Sequence, residues 1–376
     1  MKILYVNDAF AIWGGVERIL VEKANYLAEV YGYEVHLVTA NQGSHPMPFL
    51  LKGKVKYQDL GICFHHQYQY KLFRRILTRW QLNRLFVRRL REYIQSVNPD
   101  LIITARSWLM SCLVSTKVNV PIIFESHSTR RSLLFEDSSW YKQRKAENHN
   151  RSVRYAKKVV ALTEGDAADW RDINPNVCII PNIVHLNESG EYSSCSQKSV
   201  IFVGRFSRQK DIRSLLKVWS LVHQRYPEWQ LQIYGGYGEE KDALLPQIEK
   251  NQENIVLFEP TSEILCKYRE NSMLIMTSRY EPFGLVLPEA MSCGLPVVAF
   301  DCPYGPAEII TDNVDGFLIK GWDVEAFAEK VCQLMESESL RQSMGAAAIV
   351  SSQRYKADFI MPRWIKLFEM IIKDSQ

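Results

Sequence analysis

Short runs in which nearly every position is apolar recur along the chain, with helix-spaced segments between them. The runs are residues 2–7 (KILYVN), 33–40, 100–105, 121–126, 159–163, 199–204, 231–235, 254–259, 273–278 and 296–301. Strands apolar at successive positions, not alternate ones, are those covered on both faces, as in parallel sheets. The intervening segments, such as 16–30 and 214–226, place apolar residues three and four apart. This alternation predicts α/β units with right-handed crossovers. The polar stretch 181–198, PNIVHLNESGEYSSCSQK, interrupts the pattern and marks a boundary. The expectation is an α/β protein of two Rossmann-like domains, residues 1–185 and 190–353. They would face each other across a cleft at the carboxyl ends of their strands, where such folds bind ligands. Segment 354–376, with Phe359, Trp364, Leu367, Phe368 and Ile371, reads as a helix that crosses back to the first domain.

Composition changes this picture little. A chain of 376 residues suffices for two cores. No apolar run is long enough for a spanning helix, and the N-terminus turns polar at Asn7, too early for a signal peptide. The eight cysteines form no CxxC pair, which argues against zinc and fits reduced thiols in a cytoplasm. Charge is more informative. Residues 1–188 hold 26 Lys and Arg against 17 Asp and Glu, whereas 189–376 hold 20 against 25. A basic first half suggests an anionic partner there.

The densest chemistry lies in RYEPFGLVLPEAMSCGLPVV, residues 279–298. Pro282 and Gly284 make 279–284 a loop after a strand. Pro288 is tolerated only in a helix's first turn, so a helix starts near 285–287, and Gly294 with Pro296 stops it. The amides of Gly284, Leu285 and Val286 would then head a helix, an arrangement suited to a diphosphate. Glu281 and Glu289 flank that position as acceptors for sugar hydroxyls. A second anion feature is VGRFSRQKD, 203–211, whose Arg205 and Lys210 follow a strand and can neutralise phosphates. A third glycine turn, GGYG at 235–238, is weak alone. Isolated, each feature has a plain reading as surface charge or common turn; together they favour a nucleotide-sugar site.

These residues resemble the family 4 retaining glycosyltransferases of GT-B fold. The match comprises Glu281-Pro-Phe-Gly with Glu289 eight residues on, GRFSRQKD, Gly14–Gly15 in WGGVER (13–18), and His127 in FESHSTR (124–130). Asp211 departs from it, standing where glycine is frequent. The resemblance implies that Arg205 and Lys210 hold the donor diphosphate with Phe283, Gly284, Leu285 and Val286. Glu289 would bind the ribose, and Glu281 hydroxyls of the transferred sugar. Gly14 and Gly15 would approach the donor from the first domain, and His127 would bond the sugar beside the reacting carbon. His127 and Glu281 are thus the catalytic candidates. No cofactor or metal is expected, since no Asp-x-Asp occurs. FDCPYGPAEII (300–310) is similar to members that extend lipid-linked cell-surface glycans from UDP-sugars. The expected partners are a nucleotide-sugar and a glycan or polyprenyl-diphosphate-linked acceptor. An epimerase of the same fold, or a non-catalytic nucleotide-sugar binder, is the alternative.

The stretch 71–93, KLFRRILTRWQLNRLFVRRLREY, carries eight basic residues before Glu92. As a helix it suits an anionic membrane surface, with Trp80 at the interface; the plain alternative is a core helix with a solvated basic face. The expected location is cytoplasmic, peripheral on the inner face of the membrane. No motif supports nucleic-acid binding.

Overall fold

The computed structural model describes residues 1–11, 14–131, 139–251 and 253–374. Two compact units emerge. The first comprises residues 1–130, 139–183 and the chain from Ile360 onward; the second includes Val184–Phe359.

Seven parallel strands form the first sheet: β1 (Lys2–Asn7), β2 (Glu34–Thr39), β3 (Val55–Asp59), β4 (Leu101–Thr104), β5 (Ile122–Glu125), β6 (Lys158–Ala161) and β7 (Val177–Ile179). Their spatial order is β3-β2-β1-β4-β5-β6-β7. The second sheet contains β8 (Ser199–Val203), β9 (Gln230–Tyr234), β10 (Ile255–Phe258), β11 (Met273–Met276), β12 (Val297–Phe300) and β13 (Gly316–Ile319), in the order β10-β9-β8-β11-β12-β13. Both orders reverse direction beside the first strand, as in Rossmann sheets. Among the inner strands, β4, β5, β11 and β12 are buried at every position, which is why they read as unbroken apolar runs.

The reversal decides where ligands can sit. In the first sheet it falls between β1 and β4, in the second between β8 and β11. The loops leaving those strands diverge to opposite sides and leave a crevice at their carboxyl ends. Residues 204–211 follow β8, and 277–285 follow β11. The two anion-binding stretches read from the sequence are therefore neighbours at the second unit's switch point.

The last helix, Ala357–Lys373, passes from the second unit into the first after Phe359. In the first unit Trp364, Leu367, Phe368 and Ile371 are buried, whereas Phe359, before the change, is exposed. Arg363 donates to the Ile179 carbonyl at 2.6 Å.

One close approach constrains the site's scaffold. After β12 the backbone returns beside residues 281–283, where Tyr304 N and Gly305 N both donate to the Glu281 carbonyl, at 2.8 and 2.9 Å. A Cβ on Gly305 would lie 1.8 Å from the Phe283 carbonyl oxygen, so the backbone itself must move to admit one. Gly305→Ala is expected to cost about 1–3 kcal/mol, read as a lower denaturation midpoint at unchanged slope.

Candidate active site

In the second unit, Lys210 and Glu281 meet directly, Nζ to Oε1 at 2.5 Å. Ser278 Oγ donates to the same oxygen at 2.7 Å. The loops behind them are stitched together. Arg279 N donates to the Gln209 carbonyl at 2.8 Å, Gln209 Nε2 to the Tyr280 carbonyl at 3.2 Å, and Thr277 Oγ1 to the Lys210 carbonyl at 3.1 Å. Glu281 N bonds the Pro303 carbonyl at 2.6 Å. The carboxylate thus has a fixed backbone and a fixed side-chain oxygen.

Asp211, the departure from the family pattern, has φ +48° and caps the helix Ile212–Arg225 through its side chain, accepting from Ser214 N at 3.2 Å. Glycine adopts this left-handed backbone most readily, and Asp is among the residues that tolerate it. Arg205 is exposed beside this loop. The GGYG turn backs the same loop: Phe206 N donates to the Tyr237 carbonyl at 2.7 Å, and a Cβ on Gly238 would stand 2.3 Å from the Phe206 carbonyl.

The helix predicted after the loop is Val286–Ser292, with Leu285 as N-cap, and Gly284 has φ +94°. Glu289 is buried in it, and Tyr268 Oη donates to its Oε2 at 3.5 Å. Phe283 is a packing group: its ring is buried edge-on to Tyr355, centroids 5.3 Å apart.

The first unit holds the remaining candidates. Gly14 is the N-cap and Gly15 the first residue of the helix Gly15–Glu29; Trp13 of the same motif lies outside the described residues. His127 follows β5 and is buried. Its Nε2 lies 2.8 Å from Glu125 Oε2, and Glu125 Oε1 lies 2.7 Å from Lys23 Nζ. Lys23 is itself buried, 3.4 Å from the centroid of the Trp364 ring. Burial opposes the charge on Glu125, but Lys23 and the His127 hydrogen bond outweigh it and hold the carboxyl below its usual range. At the switch point, Arg106 pairs with buried Glu17 at 2.9 Å.

Sequence reading passed over Lys23, Glu125 and Ser278. Two had a signal. Lys23 interrupts the apolar stripe Ile19, Leu20, Ala24, Leu27, where a lysine needs a buried partner. Glu125 stands two residues before His127, on the same side of an extended chain. The cysteine count also missed a cluster. Among the described residues, Cys63, His65 and His66 place one ligand atom each within 4.8 Å of one another, at a turn after β3. The two histidines are exposed.

Residues 13–188 match Glycosyltransferase Family 4, and residues 192–350 match Glycosyl transferases group 1. The amylovoran biosynthesis glycosyltransferase AmsD of Erwinia amylovora is 30% identical over 386 residues, 96% of this chain and 98% of that one. The poly(ribitol-phosphate) alpha-N-acetylglucosaminyltransferase of Staphylococcus aureus (strain COL) is 32% identical over 216 residues, 56% of this chain and 43% of that protein. Among solved structures, a mutant of S. aureus TarM in complex with fondaparinux, alpha-GlcNAc-glycerol and UDP superposes with TM-score 0.81 at 17% identity, covering 98% of this chain and 99% of that one. Anabaena Alr3699/HepE, in complex with UDP and glucose, gives 0.76 at 18% identity, covering 98% and 99%. Two parallel-sheet units of this order, with these neighbours, define the GT-B fold. The chain belongs to the family 4 glycosyltransferases.

Behind the His127 loop, Asp166 is buried, and burial pushes its carboxyl up to about 7, against hydrogen bonds from Ser126 and the Arg130 backbone. The unfolded value is near 3.9. Between these values the native state holds a proton that the unfolded chain has lost. This contribution to stability is therefore full below about pH 4 and is lost as pH rises to about 7. Asp166→Asn should melt about 2 °C or more above wild type at pH 8, with the gap closing as pH falls toward 4; parallel melting curves across that range would contradict the assignment.

Proposed function

We propose that this glycosyltransferase moves a hexose or N-acetylhexosamine from a nucleotide-sugar, a UDP-sugar by preference, to a glycan or lipid-linked glycan acceptor in cell-surface polysaccharide synthesis. The observation that carries this reading is the Lys210–Glu281 pair, seated where the loops after β8 and β11 meet. Relatives named for amylovoran and poly(ribitol-phosphate) glycosylation, and fold neighbours bound to UDP, support the substrate class.

The chemistry follows from what each group can do. An ammonium has three N–H donors. Lys210 can keep one on Glu281 and give the others to a diphosphate, with Arg205 as a second cation. As the bond from the anomeric carbon to phosphate oxygen breaks, its electron pair stays on the diphosphate. These preset cations stabilise that growing charge without a metal ion. Glu281 accepts from hydroxyls of the transferred sugar, Glu289 from the ribose, and His127 is assigned a sugar hydroxyl beside the reacting carbon. The acceptor oxygen attacks from the face the phosphate leaves. Its proton passes to the departing phosphate oxygen, so configuration is retained.

Membrane contact is the second part of the proposal. The helix Leu72–Val97 divides along its length. Phe86, Leu90 and Ile94 enter the core, whereas Phe73, Ile76, Leu77 and Trp80 are exposed among arginines. Trp140 and Tyr141, heading the helix Trp140–Asn150, are exposed too. Burial and then Arg79 and Arg75 lower the ammonium of Lys145 in that helix, which puts the basic groups of both helices near one another. Exposed aromatics within a basic cluster fit an anionic bilayer surface. No helix among the described residues is long and apolar enough to cross a membrane.

Lys210→Ala and Glu281→Ala should each cut turnover by about 100-fold or more while the melting curve persists. The assay is a panel of UDP-, GDP- and ADP-sugars, with and without acceptor, and with and without chelator. Release of free nucleotide that needs no acceptor would favour an epimerase, and a Mg²⁺-reversed loss in chelator would replace the protein-cation mechanism. Separately, the protein should sediment with phosphatidylserine-containing vesicles at low salt. Trp80→Ala/Trp140→Ala should weaken this about tenfold or more; equal recovery with neutral vesicles would remove the electrostatic component.

A further inference from the structure

Lys23 and Glu125 form a charge pair inside the first unit, 102 positions apart in sequence. Side-chain exposure is 2% for each, and 4% for His127. Taking two ions out of water costs several kcal/mol each, and an apolar pair of similar volume often serves stability as well. Stability alone is thus a poor account of the pair. Its geometry suggests another. The two carboxylate oxygens of Glu125 are divided between two partners, Oε1 to Lys23 at 2.7 Å and Oε2 to His127 Nε2 at 2.8 Å. The Trp364 face closes over Lys23 on one side. Glu125 is therefore fixed at both oxygens.

A carboxylate only accepts hydrogen bonds, so Nε2 of His127 must carry the hydrogen. Lys23 already balances the single charge of Glu125. A cationic imidazole here would be a second positive charge without a counterion in a buried place. Tyr5, whose buried hydroxyl is held protonated by burial and by the nearby Glu125, adds no charge.

We propose that Lys23 and Glu125 are positioning residues that hold His127 as the neutral Nε2–H tautomer and reserve Nδ1 as an acceptor for a donating hydroxyl of the transferred sugar. This deepens the role given to His127 under the proposed function and rests on it. It defines the sugar more narrowly: the hydroxyl meeting His127 must carry its own proton, so a deoxy or O-methyl substituent there is a poor donor.

The test uses the full chain labelled with ¹⁵N in its histidine rings, with the His127 signals identified by their loss in His127→Gln. Near pH 7.5 the wild-type protein should show one protonated nitrogen, Nε2, and one bare nitrogen, Nδ1. In Glu125→Gln the pattern should become mixed or inverted, and kcat should fall about tenfold or more, with donor KM changed no more than about threefold and UDP affinity retained. Lys23→Met leaves Glu125 without its counterion and should protonate both ring nitrogens, with a similar fall in kcat. If either single variant fails to fold, the uncharged double variant Lys23→Met/Glu125→Leu replaces it with the expectations given for Glu125→Gln. An Nδ1–H or fully protonated ring in the wild type would overturn the proposal, as would Glu125→Gln with wild-type tautomer, kcat and pH profile. A fully active His127→Ala has a different meaning: it removes the assignment of His127 to the sugar, while the nitrogen spectra still decide what Glu125 does to the ring.

Discussion

The contact between Lys210 and Glu281 depends on strand order more than on either residue. Their loops are 71 positions apart in sequence and become neighbours because β8 and β11 lie side by side where the sheet reverses. Without that reversal the ammonium and the carboxylate would sit on separate edges. With it, the chain holds an ammonium against a carboxylate, and hydrogen bonds from Arg279 N and Thr277 Oγ1 tie the two loops together. Three backbone features lie in the loops around this contact: Asp211 in a left-handed conformation, Gly238 pressed on Phe206, and Gly305 pressed on Phe283.

The first unit repeats the device by other means. Lys23 projects from the helix that follows β1, and Glu125 ends β5, one strand beyond the reversal. Again a lysine from one segment holds a carboxylate from another. The difference is exposure. Lys210 is 14% accessible and can turn to a ligand, whereas Lys23 is sealed at 2% and serves the protein's own histidine.

Most inner strands were legible in the sequence because burial on both faces leaves them predominantly apolar. The three strands that escaped notice, β3, β7 and β13, are all sheet edges. They are short: β7 has three residues and β13 four, and VKYQD at β3 alternates partly buried and exposed positions without one strong apolar residue beyond Val55. The diphosphate-site candidates were legible as local motifs, since loop, glycine and helix start are neighbours in sequence. The partners of those groups were not. Ser278 looks like any serine after a strand, and nothing local to Lys23 names Glu125 or Trp364. The basic stretch at 71–93 was ambiguous for a physical reason: its first turns are exposed and aromatic, while Phe86, Leu90 and Ile94 further along are buried.

The first unit is discontinuous along the chain. Its sheet is complete by Ile179, yet the indole over Lys23 belongs to residue 364, beyond the whole second unit. The sheet strands and the ring that covers the internal lysine are thus separated by some 180 residues of chain. Loss of the carboxyl-terminal segment would therefore strip the aromatic cover from a lysine coded near the other end of the chain.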